Sequence, residues 1–166
     1  YQLRRKGHAC TIFEANDALG GMFKFGIPGY RVPRDKLDAE IQRIIDMGVE
    51  VKFKTKVGAD VQVADLERDY DAILWGIGCQ SGRGLPVPGW EGTPNCVSGV
   101  AFLKAFNEGR MKVTADKVIC IGGGDTSIDV VSVARRIGHI QHTKPSDLPE
   151  TIIHDGYVAH DTAVTA

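Results

Sequence analysis

Short apolar runs alternating with amphipathic helical stretches predict an α/β fold, and two of those runs end in signatures of nucleotide-binding βαβ units. The first, Ala9-Cys10-Thr11-Ile12-Phe13, ends on an acid, Glu14. The second, Lys117-Val118-Ile119-Cys120-Ile121, enters the turn Gly122-Gly123-Gly124-Asp125-Thr126-Ser127 and then a helix. Their order is the third observation: an acid-ended strand first, a complete strand, turn and helix second. The expected architecture is two Rossmann-like nucleotide-binding domains, 1–110 (with a connector) and 111–166, both incomplete in this chain.

The elements follow in chain order. Residues 1–6 are polar and favour a helix, with Gly7 as its C-cap ahead of the first strand. In a dinucleotide-binding unit the glycine turn precedes the strand-end acid by about 20 residues. Counting back from Glu14 passes Tyr1, so the first strand and its glycine turn are expected upstream. Residues 16–33 carry Gly20, Gly21, Gly26, Pro28, Gly29 and Pro33, too many breakers for a helix or central strand, and read as an ordered or binding loop. From Arg34 the pattern is helical, with Leu37, Ile41, Ile44 and Ile45 on one face until Gly48 stops it. Residues 49–53 alternate as a strand, 55–58 turn, and 63–68 form a short helix. Residues 71–75 then read as a buried strand ended by Gly76-Ile77-Gly78. A Gly- and Pro-rich connector (82–94) leads to a short helix over 100–107. After the second turn, 128–137 is helical, with Ile128, Val131 and 134–137 expected inward and Gly138 as its cap. From about 139 an irregular insertion is expected.

Composition narrows the function. The 166 residues are 43% hydrophobic and 25% charged, with a net charge of -1, so the chain is globular and shows no basic field for nucleic acid. No apolar run approaches the roughly 18 residues that span a bilayer, and the first residues lack the apolar core of a secretion signal. The expectation is a cytoplasmic protein without nucleic-acid or membrane partners. Cys10, Cys79, Cys96 and Cys120 lie too far apart in sequence for a C-x-x-C and read as buried reduced thiols. His139, His142, His154 and His160 fall close together without a metal-ligand pattern, so no metal is expected.

The motif Gly122-x-Gly124-x-x-Ser127 fits the dinucleotide fingerprint with a small residue in third place. The first glycine allows the tight turn, the second lets backbone approach a pyrophosphate, and the third small residue lets helix and strand pack closely. The helix N-terminus adds N–H groups and partial positive charge. No lysine follows these glycines at phosphate-loop spacing, which argues against a kinase or ATPase. Tyr30 and Tyr70 are followed four residues on by Arg34 and Leu74, not the lysine of a short-chain dehydrogenase. Glu14 is placed to accept from a ribose diol, or is simply an exposed strand-end carboxylate. Gly20-Gly21 and Gly76-x-Gly78 could line a flat ligand or merely turn the chain.

Taken together, Gly20-Gly21-Met22-Phe23-Lys24-Phe25-Gly26-Ile27-Pro28-Gly29-Tyr30-Arg31-Val32-Pro33, the run from Asp71 through Trp75 to Gly78, Val87-Pro88-Gly89 and the turn at Gly122 resemble one family. It contains the small subunit of bacterial glutamate synthase, the N-terminal flavin region of dihydropyrimidine dehydrogenase, the large subunit of NADH-dependent ferredoxin:NADP oxidoreductase and, more distantly, adrenodoxin reductase. The resemblance implies an NAD(P)H-dependent FAD oxidoreductase whose flavin carries the chemistry, with no catalytic side chain in this stretch. It implies that Glu14 binds the FAD ribose, Gly20, Gly21 and Met22 line the cofactor's path, Val57 meets adenine through its backbone, and Gly76, Ile77 and Gly78 pass the flavin. It places NAD(P)H at Gly122, Gly123, Gly124, Asp125 and Thr126, with Arg135 and Arg136 near a 2'-phosphate or merely charged helix-end residues. An iron-sulfur protein or domain and a larger catalytic subunit are the implied partners. The chain departs from the family at Trp75 and Cys79, where smaller residues are usual, at Asp125, where asparagine is common, and after Arg136, where a second strand is usual. A non-catalytic nucleotide-binding scaffold or sensor subunit and a flavin-free NAD(P) dehydrogenase remain the alternatives.

Overall fold

The computed structural model describes residues 1–82, 84–90, 96–110 and 117–142, of which 138–142 are described by backbone alone. Helices and a small parallel sheet make it α/β: α1 (Gln2–Arg5), β1 (Thr11–Phe13), α2 (Gly21–Phe25), α3 (Arg34–Ile45), β2 (Glu50–Lys52), α4 (Val63–Asp69), α5 (Gly99–Asn107) and α6 (Asp125–His142). Two compact units form, one from Tyr1–Gly20 with Arg34–Gly78, the other from Gly21–Pro33 with Cys79–Ala166. Among the described residues no helix is long and apolar enough to cross a membrane.

In the first unit the predicted strands pair in parallel, with Thr11 opposite Glu50, Ile12 opposite Val51 and Phe13 opposite Lys52. A parallel pair needs a helical crossover, and α3 supplies it. Its predicted face holds: Leu37, Ile41, Ile44 and Ile45 are half-buried while Asp38, Glu40, Gln42 and Arg43 are exposed. The first helix ends as its glycine dictates. Gly7 sits at φ +91°; its N–H donates to Arg4 O at 3.0 Å, and that of His8 donates to Leu3 O at 3.1 Å. These two bonds take up carbonyls that a helix end otherwise leaves open. Arg4 then ties this end to the turn after α3, donating from Nε to Met47 O at 2.8 Å and from Nη1 to His8 O at 2.8 Å.

In the second unit α5 packs on α6. Phe102, Leu103 and Phe106 meet Val130, Val133 and Ile137, with Tyr30, Cys120 and Ala134 against them. Ser98 starts α5 by accepting the Ala101 N–H at Oγ, 3.2 Å away. Gly109 at φ +67° ends it, its N–H on Phe106 O (2.9 Å) and that of Arg110 on Ala105 O (2.9 Å). The sequence 21–33 packs here too, since Asn107 Nδ2 donates to Phe25 O at 3.0 Å and Pro28 and Gly29 are buried.

Five expectations are corrected. Residues 21–25 form a helix where a loop was expected, because the breakers Gly20 and Gly21 stand at or before its start and leave Met22 to Phe25 uninterrupted. The run 71–75 is not the buried strand expected, and 117–121 is not a strand. Leu74 is 85% exposed and Ile119 88%. A strand exists only within a ladder, and among the described residues the named strands pair only β1 with β2. The inward face of α6 is Asp129, Val130, Val133 and Ile137, whereas Ile128 and Val131 lie outward, because α5 and Tyr30 cover the former side. Gly138 does not end α6, which continues to His142; an interior glycine weakens a helix by about 1 kcal/mol without breaking it. So the insertion expected from 139 begins helically, and the remainder, with His154 and His160, lies outside the described residues. Finally, Cys79 and Cys96 are exposed rather than buried.

Candidate nucleotide-binding site

The turn before α6 has the geometry its glycines predict. Gly122 sits at φ +134°, in backbone space that only glycine enters readily. A Cβ placed there would lie 2.5 Å from Ser127 Oγ, so Ser127 is the small third residue that close packing requires. At Gly123 and Gly124 a Cβ would meet nothing within 4 Å, and both residues are exposed. The helix begins at Asp125, and Ser127 N–H and Ile128 N–H both donate to Gly124 O, at 2.9 and 3.2 Å. The N–H groups of Gly124, Asp125 and Thr126 therefore precede the helical ladder, and all three residues are exposed. Such a terminus suits a diphosphate, which the helix dipole favours by about 0.3–1 kcal/mol per charge. Asp125 adds a carboxylate in the first turn and biases the site against a second nearby anion.

The two arginines separate. Arg135 is exposed. Arg136 is half-buried, its guanidinium 3.7 Å from the centre of the Tyr30 ring and its Nη1 donating to Ser132 O at 3.4 Å. Sequence reasoning missed what packs beside the turn. The Cβ position of Gly99, at the start of α5, is 3.1 Å from Thr126 Cγ2 and 3.3 Å from Val130 Cγ2. It also missed Asp129, 5% exposed, which accepts from Arg31 Nη1 at 2.6 Å. The signal was available: an acid four residues after Asp125 on a helix otherwise apolar at Val130, Val133 and Ile137. Burial raises the Tyr30 hydroxyl above its ordinary range, against the opposing pull of Arg136.

In the first unit Glu14 ends β1, its N–H on Lys52 O (2.9 Å) and its O accepting from Thr55 N–H (2.9 Å). The Glu14 backbone therefore joins the turn that carries Val57, itself bridged to Val61. Glu14 Oε1 accepts from both Asn16 N and Asn16 Nδ2, at 2.8 and 2.7 Å. The carboxylate is thereby fixed half-buried at the strand end. Gly20 lies in this unit at φ +122°. Gly76, Ile77 and Gly78 also belong to it, and all three are exposed. Gly21 and Met22 belong to the second unit, in α2, as do residues 122–126 and both arginines.

No family model matches the chain. Curated proteins do. The chain is 41% identical over 140 residues to the NADP(+)-dependent formate dehydrogenase subunit beta of Moorella thermoacetica, covering 83% of this chain and 20% of that protein. It is 34% identical over 137 residues to the NAD-dependent dihydropyrimidine dehydrogenase subunit PreT of Salmonella typhimurium, covering 82% and 33%. To the glutamate synthase [NADPH] small chain of Escherichia coli it is 34% identical over 146 residues, covering 82% and 31%. The chain thus spans between a fifth and a third of the length of these relatives.

Proposed function

We propose, from the premise that this chain is a stretch of the oxidoreductase-subunit family to which the glutamate synthase small chains belong, that it holds NAD(P)H beside FAD. The observation that carries this is the turn at residues 122–126: Gly122 at φ +134° against Ser127, then exposed residues at the start of α6. In this reading residues 1–110 form part of an FAD domain and 111–166 the start of an NAD(P) domain, each Rossmann-like. The described site fits the nicotinamide nucleotide because its second and third glycines leave open space where a pyrophosphate would lie.

Gly124, Asp125 and Thr126 donate backbone N–H to the pyrophosphate of NAD(P)H, and Gly122 and Gly123 let the chain turn beneath it. Arg135, exposed on the following helix, is the arginine free to meet a 2'-phosphate. Glu14, held by Asn16, accepts from the FAD ribose diol. Gly20, Gly21 and Met22 line the path of FAD, the Val57 backbone meets adenine, and Gly76, Ile77 and Gly78 pass the flavin. FAD, when bound, supplies the hydride acceptor and the one-electron relay that the side chains of this stretch lack. Electrons pass on to an iron-sulfur protein or domain within a larger assembly, a role consistent with the relatives' naming as subunits or small chains.

The test is cofactor content. The full-length protein, purified and heat-denatured, is expected to release FAD in about equal amount to protein, and Glu14→Ala to weaken flavin retention. A protein that releases no flavin and takes none up would overturn the reading.

A further inference from the structure

Two cationic side chains and one carboxylate in the second unit are among its best-fixed polar groups. Asp129 lies four residues, about one turn, beyond Asp125, next to the phosphate-facing end of α6. It is buried, and its Oδ1 takes Arg31 Nη1 at 2.6 Å. Arg136 comes two turns later on the same side, over the ring of Tyr30. Val133, fully buried, stands between them on that side. Tyr30 and Arg31 therefore run along α6 and are gripped at two points. Behind them Pro28 is buried to less than 2% exposure, and its carbonyl accepts from Arg31 N–H at 2.9 Å.

A hydrophobic contact would have fixed this segment less sharply. Apolar packing tolerates sliding, whereas a buried carboxylate holds its partner in one place, because leaving it unpaired is destabilising. The pair is only partly buried, with the Asp129 side chain 7% and the Arg31 side chain 48% exposed, and such pairs contribute little net stability, so what this one supplies is register. The register concerned is that of segment 21–33, which carries Gly21 and Met22, against the helix whose N-terminus carries Gly122 to Thr126.

Building on the proposed function, we infer that the Arg31–Asp129 pair and the Arg136–Tyr30 stack form a clamp that holds segment 21–33, with Gly21 and Met22, in register on the helix that begins at the nucleotide turn, making Asp129, Arg31 and Arg136 positioning residues for hydride transfer. Arg136 is consequently not a reader of the 2'-phosphate. Hydride transfer is steep in distance and angle, and a displacement of about 1 Å can lower a rate on the order of 100-fold without removing a binding contact. The clamp thus shows in rate rather than affinity.

The experiment is anaerobic stopped-flow reduction of the flavin in the full-length protein, comparing wild type, Asp129→Asn, Arg31→Lys and Arg136→Met with whichever of NADH or NADPH reduces wild type. Asp129→Asn is expected to lower the limiting rate on the order of 10- to 100-fold while flavin content and nucleotide Kd stay within about threefold. Arg31→Lys, which keeps the charge but loses the planar fork, is expected to fall between it and wild type. The double variant Arg31→Gln with Asp129→Asn leaves no buried unpaired charge. It should fold and still show the low rate, which keeps the inference testable where Asp129→Asn loses its flavin. Arg136→Met is expected to slow reduction and leave the ratio of NADPH to NADH affinity unchanged. Wild-type limiting rates in the double variant, or losses confined to Kd and melting temperature, would overturn the clamp and leave the proposed function standing. A shifted NADPH to NADH ratio in Arg136→Met would overturn the place of that residue in it. A wild-type protein that neither nucleotide reduces would take down both.

Discussion

Replacing Gly122 and Gly124 by alanine, one at a time, separates what the turn does for folding from what it does for a ligand. At Gly122 the backbone sits at φ +134°, and a new Cβ would stand 2.5 Å from Ser127 Oγ. The backbone strain costs about 1–3 kcal/mol. Turning the serine hydroxyl out of the way adds about 0.5–1.5 kcal/mol. Gly122→Ala should thus destabilise the unit by roughly 1.5–4.5 kcal/mol and disturb the turn proposed to meet the pyrophosphate. Gly124 has no such constraint, because its Cβ would meet nothing within 4 Å. Gly124→Ala should change folding stability by no more than about 0.5 kcal/mol. Its methyl group would nevertheless stand where backbone must approach the diphosphate, and nucleotide affinity should fall at least about tenfold, or 1.4 kcal/mol. The assays are chemical denaturation and nicotinamide nucleotide titration of the full-length protein. A Gly124→Ala variant that binds NAD(P)H like wild type, or a Gly122→Ala variant as stable as wild type, would rule out these roles for the two glycines.

Three further outcomes test the second unit. Phe106, 2% exposed between α5 and α6, anchors the core, and Phe106→Ala should cost about 3–5 kcal/mol in denaturant melts. Ser98→Ala removes the acceptor of the Ala101 N–H and should cost about 1 kcal/mol by the same measurement, with Ser98→Asp restoring most of it. Because burial raises the Tyr30 pKa, the unfolded chain gives up this proton at lower pH than the folded one. The associated stability is present below the ordinary tyrosine value of about 10 and is lost as pH climbs through the raised one. Tyr30→Phe should remove that part of the alkaline loss in pH-dependent melts.

Local chemistry made some elements legible and left others hidden. Gly7 and Gly48 mark helix ends because the chain there needs positive φ, +91° and +86°, which glycine alone reaches cheaply. The face of α3 was readable because four apolar residues at helical spacing leave no other arrangement. The runs at 71–75 and 117–121 misled for a physical reason: β-branched and apolar composition reports a preference, whereas a strand needs a neighbour to take its hydrogen bonds. The face of α6 misled similarly. Ile128 and Val131 satisfy the helical period as well as Val130 and Val133, and only the partner, α5, decides between them. At the site, the fingerprint at Gly122 was readable because it is a backbone requirement. The Arg31–Asp129 pair was not, because it joins residues 98 positions apart and no local pattern reports such a contact. The pair of arginines shows the same limit: sequence treats Arg135 and Arg136 alike, and the Tyr30 ring tells them apart.

Under the proposed function, one protein holds NAD(P)H where it can reduce a flavin. The most direct test is anaerobic titration of the full-length protein with NADPH and with NADH while the flavin absorbance is followed. One or both nucleotides are expected to bleach the oxidised flavin at stoichiometric addition, and Gly124→Ala to raise the concentration needed at least about tenfold. A bound flavin left oxidised by excess of both nucleotides would contradict the proposed function.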